Sequence, residues 1–317
     1  MRGGSSVGGR FARRHDAIVA CRPPATIRRR SPMPELPEVE TMRRGLAGIV
    51  GRRITAVAFP RGRVRPLTIR PRPATLARRI KGRVIAGVGR RGKRIVIELA
   101  PPPGERSLWL AIEPRMTGLM LVVDPPTREH VRMVVDLAGG RPGPAMFAFW
   151  DRRGLGTISL LDDRGLEAAC GPHRLGADGL VVVGADLAAR LGCSARGVKV
   201  ALLDQRAVAG IGNIYASEIL FRCGIDPRSR CRRLPRAAWE RIADTARAVL
   251  AEAVRLEGSS IGDETYRTAD NRVGRFQTRH RVYGREGEPC QACGREILRI
   301  VQAQRATFFC PACQRRP

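Results

Sequence analysis

The 317-residue chain sets 58 Lys and Arg against 29 Asp and Glu, a net charge of +29, with 43% hydrophobic residues. That apolar content supports modules with real cores and excludes a wholly disordered chain. The charge favours a polyanionic partner, nucleic acid before an acidic membrane: no apolar run reaches the roughly 18 to 20 residues of a bilayer crossing, and no amphipathic helix joins a basic face to bulky apolar anchors.

Residues 1–32 hold eight Arg against the single acid Asp16, with Gly, Ser and Pro throughout, and lack the apolar core of a secretory signal. Two readings stand: a disordered basic arm that adds non-specific affinity, or a start assigned too early, with Met33 the first residue. From Pro37, the residues Val39, Met42, Leu46 and Ile49 keep one apolar stripe at helical spacing, ended by Gly51. From Ile54 to about Leu161 the pattern predicts short strands at 83–88, 94–99, 108–112, 118–123, 131–137, 146–149 and 157–161, a β-sandwich or barrel. The stretch 162–184, rich in Gly and Asp, reads as a linker, with 166–184 set between the two domains. Helical spacing returns at 185–191, 199–204, 213–222 and 236–257, most clearly in the last, where Ile242, Ala246, Val249, Ala253 and Leu256 share one face. A loop over 258–274 follows, and a cysteine module closes the chain. The expectation is an α+β multidomain protein: a sandwich with a leading helix over 33–165, a helical domain over 185–257, a loop and connector over 258–284 and a cysteine module over 285–317.

Of nine cysteines, Cys21, Cys170, Cys193, Cys223 and Cys231 are scattered singly, as in a reduced compartment. The other four form two CxxC pairs, Cys290 with Cys293 and Cys310 with Cys313, separated by sixteen residues. This spacing suits two knuckles of a hairpin converging on one structural Zn2+, whereas a redox CxxC needs one pair in a thioredoxin-like context. Four thiolates fill the coordination sphere, so the metal shapes the hairpin and does not activate water. Between the pairs, Arg305 lies near a turn and can fork two phosphate oxygens.

The segment Met33-Pro34-Glu35-Leu36-Pro37-Glu38-Val39-Glu40-Thr41 places two prolines and three carboxylates at the start of the first helix. The plain reading is helix initiation, since Pro and Glu suit a first turn and its dipole. The sharper one begins with loss of an initiator Met33, which exposes Pro34 as a secondary amine beside a carboxylate. With an α-amino pKa of about 8, a useful fraction is unprotonated at neutral pH and can attack an electrophilic carbon.

From Met33 to about Cys313 the chain resembles the formamidopyrimidine-DNA glycosylases, bacterial enzymes that excise oxidised purines and cut at the abasic site. The landmarks are the opening at residues 34–41, Arg91-Gly-Lys93, Met116-Thr-Gly, Gly210-Ile-Gly-Asn213-Ile-Tyr-Ala-Ser-Glu218, Gly258-Ser-Ser260 and Ala303-Gln-Arg305-Ala-Thr-Phe-Phe-Cys310. The related endonuclease VIII branch, which prefers oxidised pyrimidines, differs after its Pro-Glu start. The resemblance implies that Pro34 displaces the damaged base at C1′ and forms an imine with the opened sugar, from which β- and δ-elimination proceed. It implies Glu35 as the acid/base and Glu38 as the carboxylate that orients the proline. For Lys93, expected at a hairpin tip, the resemblance implies a side chain that reaches the lesion and an adjacent phosphate and helps catalysis.

The same likeness makes 185–257 a helix-two-turn-helix domain, with Asn213 on a phosphate at a helix start, Lys199 a further phosphate ligand, and Arg305 gripping the same backbone. Flipping a nucleotide leaves a gap that the family fills with Met, Arg and Phe. Met116 and Arg153 match the first two. Leu155 replaces the aromatic wedge in Asp151-Arg-Arg-Gly154-Leu-Gly156, where the family has Asp-Pro-Arg-Arg-Phe-Gly. Ile112-Glu113-Pro114-Arg115 departs from the usual His-Leu-Gly, which leaves the phosphate contacts there open. Ser259 and Ser260 match the region that covers the flipped base. The implied partner is double-stranded DNA with damaged bases or abasic sites, met by a cytoplasmic, nucleoid-associated monomer. If residues 1–32 stay attached, Pro34 is a tertiary amide and the remaining reading is a DNA-binding protein without catalysis.

Overall fold

The computed structural model describes residues 1, 33–60, 65–102, 104–140, 142–262 and 266–316, so the expected basic arm falls, but for Met1, outside the described residues. Pro37 in the first turn starts helix α1 (Leu36–Gly45), and a single tight turn over Ala47–Ile49 completes the apolar stripe before Gly51, at φ 85°, turns the chain. Strands β1 (Arg53–Ala58) and β2 (Thr68–Arg70) and helix α2 (Pro73–Ile80) come next. They are followed by β3 (Ile85–Arg91), β4 (Arg94–Leu99), β5 (Leu108–Glu113), β6 (Gly118–Leu121), β7 (Val131–Ala138), β8 (Met146–Asp151) and β9 (Thr157–Leu161). They form two sheets, ordered β1-β7-β8-β6 and β2-β9-β5-β4-β3, with β2 and β9 parallel and every other pair antiparallel. Ile97, Leu110, Leu119, Val135, Phe147 and Ile158 from the two sheets share one buried core, as in a sandwich.

Four elements of this half differ from the sequence expectation, among them the three-residue strand β2. Strand β1 buries only Ile54, so its alternation is weak, and a register shift between Ile54 and Ala56 disrupts its pairing with β7. Helix α2 keeps just Leu76 and Ile80 as its inward pair in an Arg- and Pro-rich stretch. The predicted linker holds helix α3 (Asp163–Cys170), capped by the Asp162 carboxylate on the Gly165 amide at 2.7 Å, and its Leu166 and Cys170 pack on Val96 and Ala111. Strand β10 (Ala177–Asp178) then runs parallel to β11 (Val208–Ala209).

The second half is helical: α4 (Gly184–Leu191), α5 (Val198–Leu202), α6 (Asn213–Arg222) and α7 (Arg236–Arg255), with Trp239 and Tyr215 in their core. Strands β12 (Leu298–Gln302) and β13 (Arg305–Phe309) make the C-terminal hairpin, its turn at Ala303 and Gln304 with φ of 44° and 60°. No helix among the described residues is long and apolar enough to cross a membrane.

Helix α1 belongs to both cores. Leu36 is buried with the helical domain, whereas Val39, Met42 and Leu46 are buried with the sandwich. Ion pairs brace the same junction. The Glu40 carboxylate accepts from Arg43 and Arg44 of its own helix and from Arg90 at 3.0 Å, and Arg90 also grips Asp178 at 2.7 and 3.1 Å. Burial works against ionising Glu40, but the hydrogen bonds from Arg43, Arg44 and Arg90 outweigh it and hold the carboxyl at about 2. A depressed carboxyl contributes stability that is present above its unfolded value of about 4.5 and lost as pH falls toward 2. We therefore expect Glu40→Gln to remove on the order of 2 kcal/mol at neutral pH and to flatten the acid limb. Chemical denaturation of parent and variant between those pH values measures this, and parallel curves would contradict it.

Candidate active site and nucleic-acid interface

The chain enters α1 across the start of α6. Glu35 is 2% exposed, and its carboxylate accepts the Ile214 amide at 2.9 Å and the Tyr215 amide at 3.4 Å, two of the free N–H groups of the α6 first turn. The preceding turn admits it because two residues lack side chains. A Cβ on Gly212 would lie 2.3 Å from the Glu35 carboxyl carbon, and one on Gly210, at φ 99°, would lie 2.4 Å from Leu36 Cδ1. The Leu36 amide also donates to the Gly210 carbonyl at 3.0 Å. Burial raises the Glu35 pKa above its ordinary value, against the opposing pull of Lys93 and the α6 amides.

Glu38, one turn on, is 1% exposed and fully engaged. Its Oε2 accepts the Glu35 amide at 2.8 Å, and its Oε1 accepts the Ser259 amide at 2.8 Å and the Tyr215 hydroxyl at 2.5 Å. Burial first, and the neighbouring Glu35 charge second, push its carboxyl up to about 7. Two adjacent buried carboxyls with raised pKa values form a centre that can hold and move a proton. Pro34 is buried at its edge, bonded to a half-buried Met33.

Met33 lines a groove of about 580 Å³ together with Lys93, Arg94, Glu113, Arg206 and Arg305. Lys93 occupies the two-residue turn between β3 and β4, where Arg91 pairs with Arg94, and it is half-buried there. Burial lowers its pKa, with Glu35 pulling the other way and Arg305 adding to the lowering. Arg305 is exposed at the hairpin turn across the groove. Residues distant in sequence thus bring cations to the mouth of the carboxyl centre, the arrangement a phosphodiester needs.

Met116 and Arg153 sit on adjacent turns that Asp151 ties together. The buried Asp151 carboxylate accepts the Thr117 hydroxyl, the Arg153 amide at 3.1 Å and the Gly156 amide at 2.8 Å. Met116 and Leu155 are half-buried and Arg153 is exposed, so one acid fixes the backbone beneath three side chains that face outward in part.

Four residues expected at the DNA also have partners inside the protein. Lys199 is 1% exposed, and its ammonium donates to Asn213 Oδ1 at 2.6 Å, the Ala306 carbonyl at 2.8 Å and Thr307 Oγ1 at 2.7 Å. All three protons are used within the chain, so Lys199 joins the helical domain to the C-terminal hairpin. Burial, countered by Glu35 and reinforced by Arg305, brings its pKa to about 7. Asn213, half-buried, also donates to the Ala306 carbonyl at 3.0 Å. Ser259 and Ser260 are buried, the first hydroxyl 3.1 Å from His280 Nε2 and the second donating to the Tyr266 carbonyl at 2.7 Å. They shape the loop from beneath.

Two further groups of the Gly210–Glu218 motif act through partners that the motif does not show. Tyr215 holds Glu38, and buried Glu218 accepts the amides of Arg281, Val282 and Tyr283 at 2.9, 3.0 and 2.8 Å, pinning the connector to the C-terminal module. Their place on α6 beside Asn213 was visible; their partners were not.

In that module the sulfurs of Cys290, Cys293, Cys310 and Cys313 all lie within 4.8 Å of one another. Cys290 and Cys313 are 3.9 Å apart, Cys293 and Cys310 3.4 Å. Four thiolates about 2.3 Å from a tetrahedral zinc are about 3.8 Å from each other, so the cluster fits one structural zinc with no position left for water. The module docks on the helical domain through Gln314, which accepts the Cys310 amide at 2.9 Å and donates to the Ile225 carbonyl at 2.9 Å.

A carboxyl centre between a sandwich and a helical domain, facing a basic groove and flanked by a four-thiolate hairpin, defines a nucleic-acid enzyme of the base-removing kind. The chain matches the formamidopyrimidine-DNA glycosylase N-terminal domain over residues 33–158, the formamidopyrimidine-DNA glycosylase H2TH domain over 182–265, and the zinc finger found in FPG and IleRS over 287–316. It is 42% identical over 289 residues to a formamidopyrimidine-DNA glycosylase of Chloroflexus aurantiacus, covering 89% of this chain and 98% of the relative. The MutM (Fpg) protein of Thermus thermophilus superposes with a TM-score of 0.75 at 39% identity, over 89% of this chain and 98% of that one. A complex between Lactococcus lactis Fpg and DNA containing an abasic site gives 0.76 at 30% identity, over 89% and 100%. The chain belongs to the formamidopyrimidine-DNA glycosylase family.

The zinc site has a direct test. Chelation or Cys293→Ser, at an exposed position whose change opens no core cavity, should release one metal per chain and strip hydrogen-exchange protection from β12 and β13 while α7 stays protected. A metal-free protein with a fully protected hairpin would contradict the assignment.

Proposed function

We propose that this chain is a base-excision-repair glycosylase of the oxidised-purine branch, removing 8-oxoguanine and formamidopyrimidines and cutting the abasic strand by β,δ-elimination. The observation that carries this reading is Glu35, a buried carboxyl of raised pKa seated on the α6 N-terminus beside Pro34 and facing Lys93. In the proposed reaction the Pro34 nitrogen, freed of residues 1–33, attacks C1′, and the damaged base leaves with the electrons of the glycosidic bond. Glu35 protonates the ring oxygen as the sugar opens to the imine, and then moves protons as the two phosphates depart in turn. Glu38 orients the proline. Lys93, Asn213 and Arg305 grip the strand, and Met116, Arg153 and Leu155 fill the gap left by the flipped nucleotide. Lys93 is suited to this because burial makes its amine less basic, so it can also exchange a proton with the lesion. The basic charge and the groove support double-stranded DNA as the partner of a monomer working on the nucleoid in the cytoplasm.

In the full sequence the Pro34 nitrogen is an amide to Met33. A chain beginning at Pro34 should therefore trap covalently on 8-oxoguanine duplex under borohydride, with the adduct on its N-terminal peptide, and a chain keeping residues 1–33 should not. Trapping by an unprocessed chain would refute the proline assignment. The oxidised-pyrimidine alternative would show as faster cleavage of thymine glycol duplex than of 8-oxoguanine duplex.

A further inference from the structure

Glu113 is a carboxylate on the wall of a groove whose other charged side chains are mainly cations. The second acid there, Asp204, is turned onto its own loop, accepting the Arg206 amide at 3.0 Å and pairing with Arg196 at 3.1 Å. Glu113 instead stands between two arginines of the groove. Its Oε2 accepts Arg94 Nε at 3.1 Å, and its Oε1 lies 3.0 Å from Arg115 Nε.

The two arginines differ. Arg94 is anchored at its far end, donating to the Ala169 carbonyl at 3.0 Å and lying 3.4 Å from Cys170 Sγ at the end of α3. The Arg115 side chain is 49% exposed, and its terminal nitrogens carry no protein hydrogen bond among the described residues. Arg115 also holds φ 55°, a left-handed backbone uncommon for a residue with a side chain, on the turn that leads into Met116. The order from inside outward is thus a fixed cation, a half-buried carboxylate and a cation with its fork directed to solvent beside a gap-filling residue.

We propose that Glu113 is a positioning residue: braced by Arg94, it holds Arg115 so that the outer guanidinium meets a DNA phosphate next to the flipped nucleotide. This rests on the DNA reading above. The triad carries a net single positive charge, and fixing the Nε edge leaves the two terminal nitrogens free to fork a phosphate. A carboxylate in a groove for a polyanion otherwise repels its ligand.

The two accounts of Glu113 predict opposite signs. If Glu113 acts only as a charge, Glu113→Gln raises the groove potential and tightens DNA binding. If it is a brace, the same substitution weakens binding although it adds a net positive charge. Anisotropy of the full chain with a labelled duplex carrying a tetrahydrofuran abasic analogue, across a salt series, separates them. We expect Arg115→Ala to weaken binding about tenfold at low salt and to lower the slope of log Kd against log salt by about one. Glu113→Gln should weaken binding at least about threefold and lower the slope in the same sense. The double variant should be no weaker than Arg115→Ala, because both act through one contact. Tighter binding by Glu113→Gln, or the parent slope in Arg115→Ala, overturns the brace alone. A parent without salt-dependent affinity for the abasic duplex overturns the DNA reading and the brace with it. Arg115→Ala, at an exposed side chain, keeps the test decisive should Glu113→Gln fail to fold.

Discussion

The Glu35 carboxylate on the amides of Ile214 and Tyr215 fixes the sandwich against the helical domain, and the rest of the site is built from that contact. Two opposing effects meet there. A helix N-terminus stabilises a carboxylate by up to about 2 kcal/mol in partly buried geometry, and Lys93 adds to that attraction. Removing the carboxylate from water costs several kcal/mol even after relaxation. Burial wins, so the group that welds the domains is also one that holds its proton more readily than an exposed glutamate. An exposed carboxylate cap in the same place would be a structural device only.

The neighbouring groups extend this contact in layers. Glu38 accepts the Glu35 amide, the Tyr215 hydroxyl and the Ser259 amide, so α1, α6 and the loop after α7 meet on one carboxyl. Further along α6, Glu218 holds residues 281–283, and at the helix start Asn213 with Lys199 of α5 holds Ala306 and Thr307 of the C-terminal hairpin. Zinc keeps that hairpin in shape, and Arg305 stands at its turn. The start of α6 thus sets the distance between the proton-holding pair and the cation across the groove, which a helix linked only through apolar packing would define less sharply.

Strong local pattern carried over well into the fold. Residues 94–99, 157–161 and 213–222 have the bounds their spacing predicts, because each combines a clean apolar period with a Gly-containing turn or cap. Helix α3 was hidden by Gly165 and by its brevity, and α2 by its arginines and prolines. At the site, Glu35, Lys93, Asn213 and Arg305 were visible through the motifs that carry them. The inward turn of Lys199 was not, since nothing local to it marks Ala306 and Thr307, 107 and 108 positions away, as its acceptors. The same holds for Tyr215 and Glu38, separated by 177 positions. Spacing reports which residue types are near in sequence; whether a lysine faces phosphate or protein depends on long-range packing.

A proton-holding acid at Glu35 and a simple helix cap there titrate differently. Carbon-13 NMR of labelled glutamate side chains, with Glu35 assigned by loss of its signal in Glu35→Gln, reads its titration directly. The account predicts a midpoint above the ordinary glutamate value of 4.5, because desolvation outweighs the α6 amides and Lys93. A midpoint at or below 4.5 would mean that the helix N-terminus and the lysine dominate, and would contradict it.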